Sequence, residues 1–189
     1  MDAIMLALVA VLLANADGRS GISLARLIEA RADRRVAVVL TFAAFVVNAL
    51  VAAIAGGLAN AMIGQGVAAL LVALATLSAA AALLWQVRPA LFDVGASDAP
   101  PLLLAGRLLA AQFGDRSHFL IGALAATSGA GQWAAAGGLV GWTLAMLPFL
   151  AFGPPLADRR AAHILRWVSA AILILWGIRT ALGAFGLIG

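Results

Sequence analysis

Long apolar runs separated by short polar interruptions follow one another along the whole chain, and this alternation predicts membrane-spanning helices. A helix needs about 20 residues to cross a hydrocarbon core of roughly 30 Å. Six runs reach that length. They are expected at residue 2 to the mid-twenties, 36–62, 67–87, 100–126, 132–152 and 161–182. Pro100 and Pro101 suit a first helical turn, where their missing N–H groups would be unpaired in any case. Pro148 predicts a kink in the fifth run, and Pro154 and Pro155 end it. Two runs are interrupted about a dozen residues in: the first at Asn15-Ala16-Asp17-Gly18-Arg19-Ser20, the fourth at Gln112-Phe113-Gly114-Asp115-Arg116-Ser117.

The two halves repeat. A shift of 97 residues places Arg19-Ser20 on Arg116-Ser117, Leu50 on Leu147 and Gly56 on Gly153; a shift of 91 places Leu84-Trp85 on Leu175-Trp176 and Arg88 on Arg179. This divides the chain into a three-helix repeat (1–89), a linker (90–99) and a second three-helix repeat (100–189). Three helices per half is an odd number, so the second half must enter the membrane inverted, and equivalent loops should exchange charge. They do: 29–35 holds Arg31, Arg34 and Arg35 while 126–132 is uncharged, and 57–66 is neutral while 154–160 holds Arg159 and Arg160. Arginine-rich short loops stay in the cytoplasm, which puts the linker there and both termini outside. Arg179 runs against this rule and is expected to reach the interface by its long side chain.

Composition agrees with a membrane protein. Of the 189 residues 65% are hydrophobic and 11% charged, too few polar side chains to cover a water-facing surface. The formal charge of +4 comes from arginines at the ends of apolar runs, with no basic face interleaved with aromatics, and this excludes a nucleic-acid binder. Without cysteine there is neither a disulfide framework nor a thiolate metal site. Asp2 replaces the cationic start of a signal peptide, so the first run reads as a span. No His-Glu-x-x-His or Gly-x-Ser-x-Gly motif points to a membrane enzyme.

The interruptions carry the chemistry. At about 1.5 Å per residue each begins roughly 18 Å into its helix, close to the midplane. A charge there costs on the order of 2.5–3.5 kcal/mol, so Asp17, Arg19, Asp115 and Arg116 must face a partner or a wet cavity. Glycine beside each Asp lets the helix unwind, and an unwound turn frees carbonyl oxygens. Carboxylates of Asp17 and Asp115, amides of Asn15 and Gln112 and hydroxyls of Ser20 and Ser117 form an oxygen set suited to Ca²⁺, Mg²⁺ or Mn²⁺.

The run from Gln112 to Ser117 resembles the repeated Glu-x-Gly-Asp-(Lys/Arg)-(Thr/Ser) motif of the Gdt family of small Mn²⁺/Ca²⁺:proton antiporters, and Asn15 to Ser20 resembles a degraded first copy. Length, six helices in two inverted halves and motif placement extend the resemblance over essentially the whole chain. It implies a bacterial inner-membrane carrier exchanging a divalent cation for protons, with the family's acidic positions falling on Asn15, Gln112 and Asp115. No resident cofactor is implied. The partners are lipid, the cation and protons, with a homo-oligomer allowed. Asn15 and Gln112 replace carboxylates by amides, and the first copy reverses Gly and Asp, placing Asp17 about 100° around a helix from the expected direction.

Two arrangements are open: the arginines turn away to the interface or to backbone carbonyls and two Asp bind the ion, or Asp17–Arg19 and Asp115–Arg116 form internal ion pairs. A non-transporting scaffold and a carrier of another small solute are the competing functions. His118, three residues after Asp115, is either a proton relay or a structural hydrogen-bonding residue. Asn48 either lines the path or makes an interhelical hydrogen bond. His163 and the tryptophans Trp85, Trp142, Trp167 and Trp176 are expected mainly at the interface, and glycines such as Gly56-Gly57 and Gly137-Gly138 are expected to let helices approach closely.

Overall fold

In the computed structural model, which describes residues 2–85, 99–153, 155–156 and 159–188, the chain is all-helical. Among the described residues eight α-helices follow in order: α1 (Asp2–Ala14), α2 (Arg19–Ala30), α3 (Arg34–Met62), α4 (Gln65–Leu84), α5 (Pro101–Gln112), α6 (Arg116–Ser128), α7 (Gly131–Phe152) and α8 (Arg160–Ala184). Both predicted interruptions are real breaks. Among the described residues four helices, α3, α4, α7 and α8, are long and apolar enough to cross a membrane, and a fifth span results if α1 and α2, bent by 70° at their break, count together. The fourth run, expected over 100–126 with an interruption at 112–117, is two pieces, each too short to cross alone, because the turn 113–115 ends α5 after 12 residues. The linker, apart from Ala99, lies outside the described residues, as do Arg88, Asp93 and Asp98.

Local chemistry sets the other boundaries. Asp33 caps α3, its side chain accepting from the N–H groups of Arg35 and Val36. Gly129 ends α6 in a left-handed conformation that relieves the last carbonyls. Pro148 lies inside α7, where lipid or a neighbouring helix leaves the backbone no water to turn to.

Most buried positions hold small residues, and many large apolar ones face outward. The core is dominated by alanine, including Ala7, Ala10, Ala75, Ala79, Ala125 and Ala134, while Met5, Ile54, Leu58, Leu102 and Leu175 are exposed. A water-soluble domain would be arranged the other way; in lipid, where apolar side chains gain little by moving inside, close backbone packing decides. Helix α1 packs on α7, α3 on α6 and α4 on α8. A Cβ at Gly141 would lie 2.3 Å from the Leu8 carbonyl oxygen, and one at Gly56 would lie 2.2 Å from that of Gly122, so these two crossings require glycine. Gly57, by contrast, faces open space.

Trp85 and Trp167 are exposed, as interfacial side chains should be, but Trp142 is not an anchor. It is only 2% exposed, stacks on Phe45 with ring centroids 4.1 Å apart and meets the Phe42 ring edge-on at 5.2 Å. Its place in mid-α7, opposite two phenylalanines of α3, outweighs the general preference of tryptophan for the interface.

Candidate functional site

Each break is built around one glycine with positive φ. In the first, Gly18 has φ +69° and stands immediately before α2; in the second, Gly114 has φ +73° and stands one residue further from α6, leaving Asp115 as the N-cap. The left-handed turn follows the glycine, since a side chain there is strained. Reversal of Gly and Asp in the first copy therefore moves the turn by one residue, and Asp17 and Asp115 occupy non-equivalent places. Gly18 also lies against the Phe149 ring of α7: an added Cβ would stand 2.0 Å from Cζ, whereas at Gly114 it would meet nothing within 4 Å.

The two breaks meet. Asn15, 2% exposed, donates from Nδ2 to the Val11 carbonyl at 2.8 Å and to Ser117 Oγ across the interface at 2.9 Å. Ser117 in turn donates to Asp115 Oδ2 at 3.1 Å, so a continuous chain of hydrogen bonds runs from one break to the acid of the other. Ser20 donates to Asn15 Oδ1 at 3.4 Å. A second link is ionic: Arg116 Nη2 contacts Asp17 Oδ1, with both side chains more than nine-tenths buried.

Asp17 is held from both sides. Arg19 Nε lies 3.0 Å from Oδ2, and the Arg19 backbone N–H donates to Oδ1 at 3.3 Å. Arg19 Nη2 then reaches the Trp85 carbonyl at 3.0 Å, tying the turn to the end of α4. Both arginines thus face Asp17, Arg116 turning to it across the two breaks rather than to the neighbouring Asp115, and the arrangement with both guanidinium groups turned away is not the one observed. With Asp17 and Asp115 against Arg19 and Arg116 the formal charge of the site is zero, and the positive ends of α2 and α6 both open onto it. Among the described residues no three His, Asp or Glu side chains gather as a ready-made metal site.

Three expected site residues stand apart from this network. Gln112 donates from Nε2 to the Thr41 carbonyl at 3.3 Å, leaving Oε1 buried without a partner. Asn48 donates to the Leu109 carbonyl at 3.1 Å, an α3–α5 bond, and also lines a cavity of about 440 Å³ beside the second break. His118 lines the same cavity; its Nε2 is 3.4 Å from the Phe45 carbonyl oxygen and its ring lies 4.7 Å from that of Phe45. His163 is exposed on the first turns of α8. Thr41, Phe149 and the Trp85 carbonyl belong to the surroundings of the site and were not signalled by the motifs; a hydroxyl in the middle of an apolar run was the one available hint, for Thr41. In comparisons with known proteins, no protein-family model, curated protein or solved structure matches the chain.

Proposed function

We propose that this chain is a secondary carrier exchanging a divalent cation, Mn²⁺ or Ca²⁺, for protons, with its site where the two breaks meet. One observation carries the reading: turns far apart in sequence share a buried polar network through Asn15–Ser117 and Arg116–Asp17. Buried polar contacts between helix breaks at membrane depth are costly and are kept where they serve a solute path. The chemistry of the cation and the proton coupling come from the Gdt resemblance. Six spans in two inverted repeats belong to the same reading. A pseudo-twofold axis relating 1–89 to 100–189 would set the first span of each half on the second span of the other and the third on the third, and α1 on α7, α6 on α3 and α4 on α8 follow that pattern.

In this account Asp115 and Asp17 are the acids that bind the ion and exchange it for protons. Asn15, Ser20 and Ser117 add neutral oxygens, and Gln112 Oε1 is a further acceptor. Arg19 and Arg116 tune the charge, and rocking of one half against the other alternates access. A carrier of another small solute is the second reading, favoured by the zero formal charge and the two helix N-termini, which suit a small oxyanion. Flux in reconstituted vesicles separates the readings. Mn²⁺ or Ca²⁺ entry with opposite proton movement supports the first, oxyanion flux the second, and absence of any flux favours a scaffold. The Asp115→Asn variant should fold and lose cation uptake; unchanged uptake rejects Asp115 as a ligand.

A further inference from the structure

We infer that Arg116 is a tethered stand-in for the transported cation: its guanidinium occupies the Asp17 carboxylate while the site is empty, and cargo binds only by displacing it. The inference rests on the cation-carrier reading above.

The geometry has three parts. First, the Asp17–Arg116 contact joins the two breaks, so the pair ties together the elements that must move apart in alternating access. Second, Asp17 is flanked by two guanidinium groups, with side-chain exposure of only 7% and Oδ2 in ionic contact with Arg19 but making no hydrogen bond, so a cation approaching it meets positive charge where it needs negative. Third, Arg116 is poorly satisfied where it stands. Its side chain is 9% exposed, yet Nε and Nη1 are buried without hydrogen-bond partners. A guanidinium has five N–H donors, and a permanent structural role would normally engage more of them. The same break holds an unused buried acceptor, Gln112 Oε1, which gives a displaced guanidinium a group to turn toward.

The consequence is competition. If the empty site is held closed by a charge-assisted hydrogen bond, the apparent affinity for cargo is the intrinsic affinity reduced by the fraction of molecules in which Asp17 is free. Arg19 plays a different part, because its second anchor on the Trp85 carbonyl holds it on Asp17 from within its own turn.

Mn²⁺ binding to the full-length protein in detergent, followed by the electron paramagnetic resonance signal of free Mn²⁺, tests this. Arg116→Gln should bind Mn²⁺ tighter by roughly ten- to a hundredfold, the range set by a hydrogen bond to a charged group. A purely structural Arg116 would give the opposite sign, since its loss would loosen the site. In the Asp17→Asn background Arg116→Gln should give much less gain; an equal gain there would mean general charge repulsion and overturn the inference. If Arg116→Gln does not fold, Arg116→Lys, with a single flexible ammonium in place of the planar fork, should still bind tighter than wild type, and equal or weaker binding overturns the proposal. Asp115-dependent binding that Arg116→Gln leaves unchanged removes the stand-in but leaves the carrier. Lack of Mn²⁺ binding by every variant removes both.

Discussion

Substitution of Gly18 by alanine should damage this protein far more than the same change at Gly114, although both glycines occupy a left-handed turn in a helix break. The backbone cost is common to the two: an L residue in that region is disfavoured by roughly 1–2 kcal/mol. At Gly114 nothing else follows, because the new Cβ points into open space. At Gly18 it would lie 2.0, 2.3 and 2.4 Å from three carbons of the Phe149 ring. Carbon atoms rest about 3.5–4.0 Å apart, so the ring must retreat by about 1.5 Å or more. Phe149 is 6% exposed and packed on its other sides, and such overpacking adds about 1–3 kcal/mol. The total for Gly18→Ala is then about 2–5 kcal/mol, against about 1–2 for Gly114→Ala. Equilibrium unfolding in mild detergent, read by helical circular dichroism, measures both. Phe149→Leu, which removes the outer ring atoms, should recover about 1–3 kcal/mol when combined with Gly18→Ala, as coupling between touching residues. Equal losses at the two glycines, or no coupling to Phe149, would refute the reasoning.

Other changes follow from the same contacts. Gly141→Ala places a Cβ 2.3 Å from the Leu8 carbonyl and should lower the thermal midpoint by forcing α1 from α7, while Gly57→Ala, with nothing within 4 Å, should stay within about 0.5 kcal/mol of wild type. Asp17→Ala leaves the buried Arg116 guanidinium without its counter-charge and should cost about 3–5 kcal/mol in the same unfolding assay, with Asp17→Ala/Arg116→Met milder than the single change. Asn15→Ala removes two donated bonds, one of them the link to Ser117, and should cost about 1–3 kcal/mol.

Much of this architecture was legible in the residues. Apolar runs marked the helices because lipid requires every backbone group to be paired within the element. Polar, glycine-bearing turns marked both breaks for the same reason, and the charges in them had to find partners. Which partners they found was not legible. The Asp17–Arg116 contact depends on the crossing of two breaks and on how a long side chain is directed there, neither of which has a periodicity to read. The exchange of Gly18 and Asp17 against Gly114 and Asp115 was visible, but its effect needed the observed dihedrals: the turn moves with the glycine, and the acid moves with the turn. Trp142 was misplaced by a residue-type preference that Phe42 and Phe45 overrule. The break in the fourth run was legible because Gly114 and Asp115 interrupt residues that are largely apolar on either side, from Leu102 to Leu109 and from Phe119 to Leu124.

The most direct test of a shared solute path is access to the junction of the two breaks from both sides of the membrane. The native chain has no cysteine, so Ser20→Cys introduces a single thiol beside Asn15. Reconstituted in sealed vesicles, that thiol should react with an impermeant charged reagent applied from either face, and Mn²⁺ should slow the reaction. A thiol reached from neither face, or from one face alone and indifferent to Mn²⁺, would contradict the account.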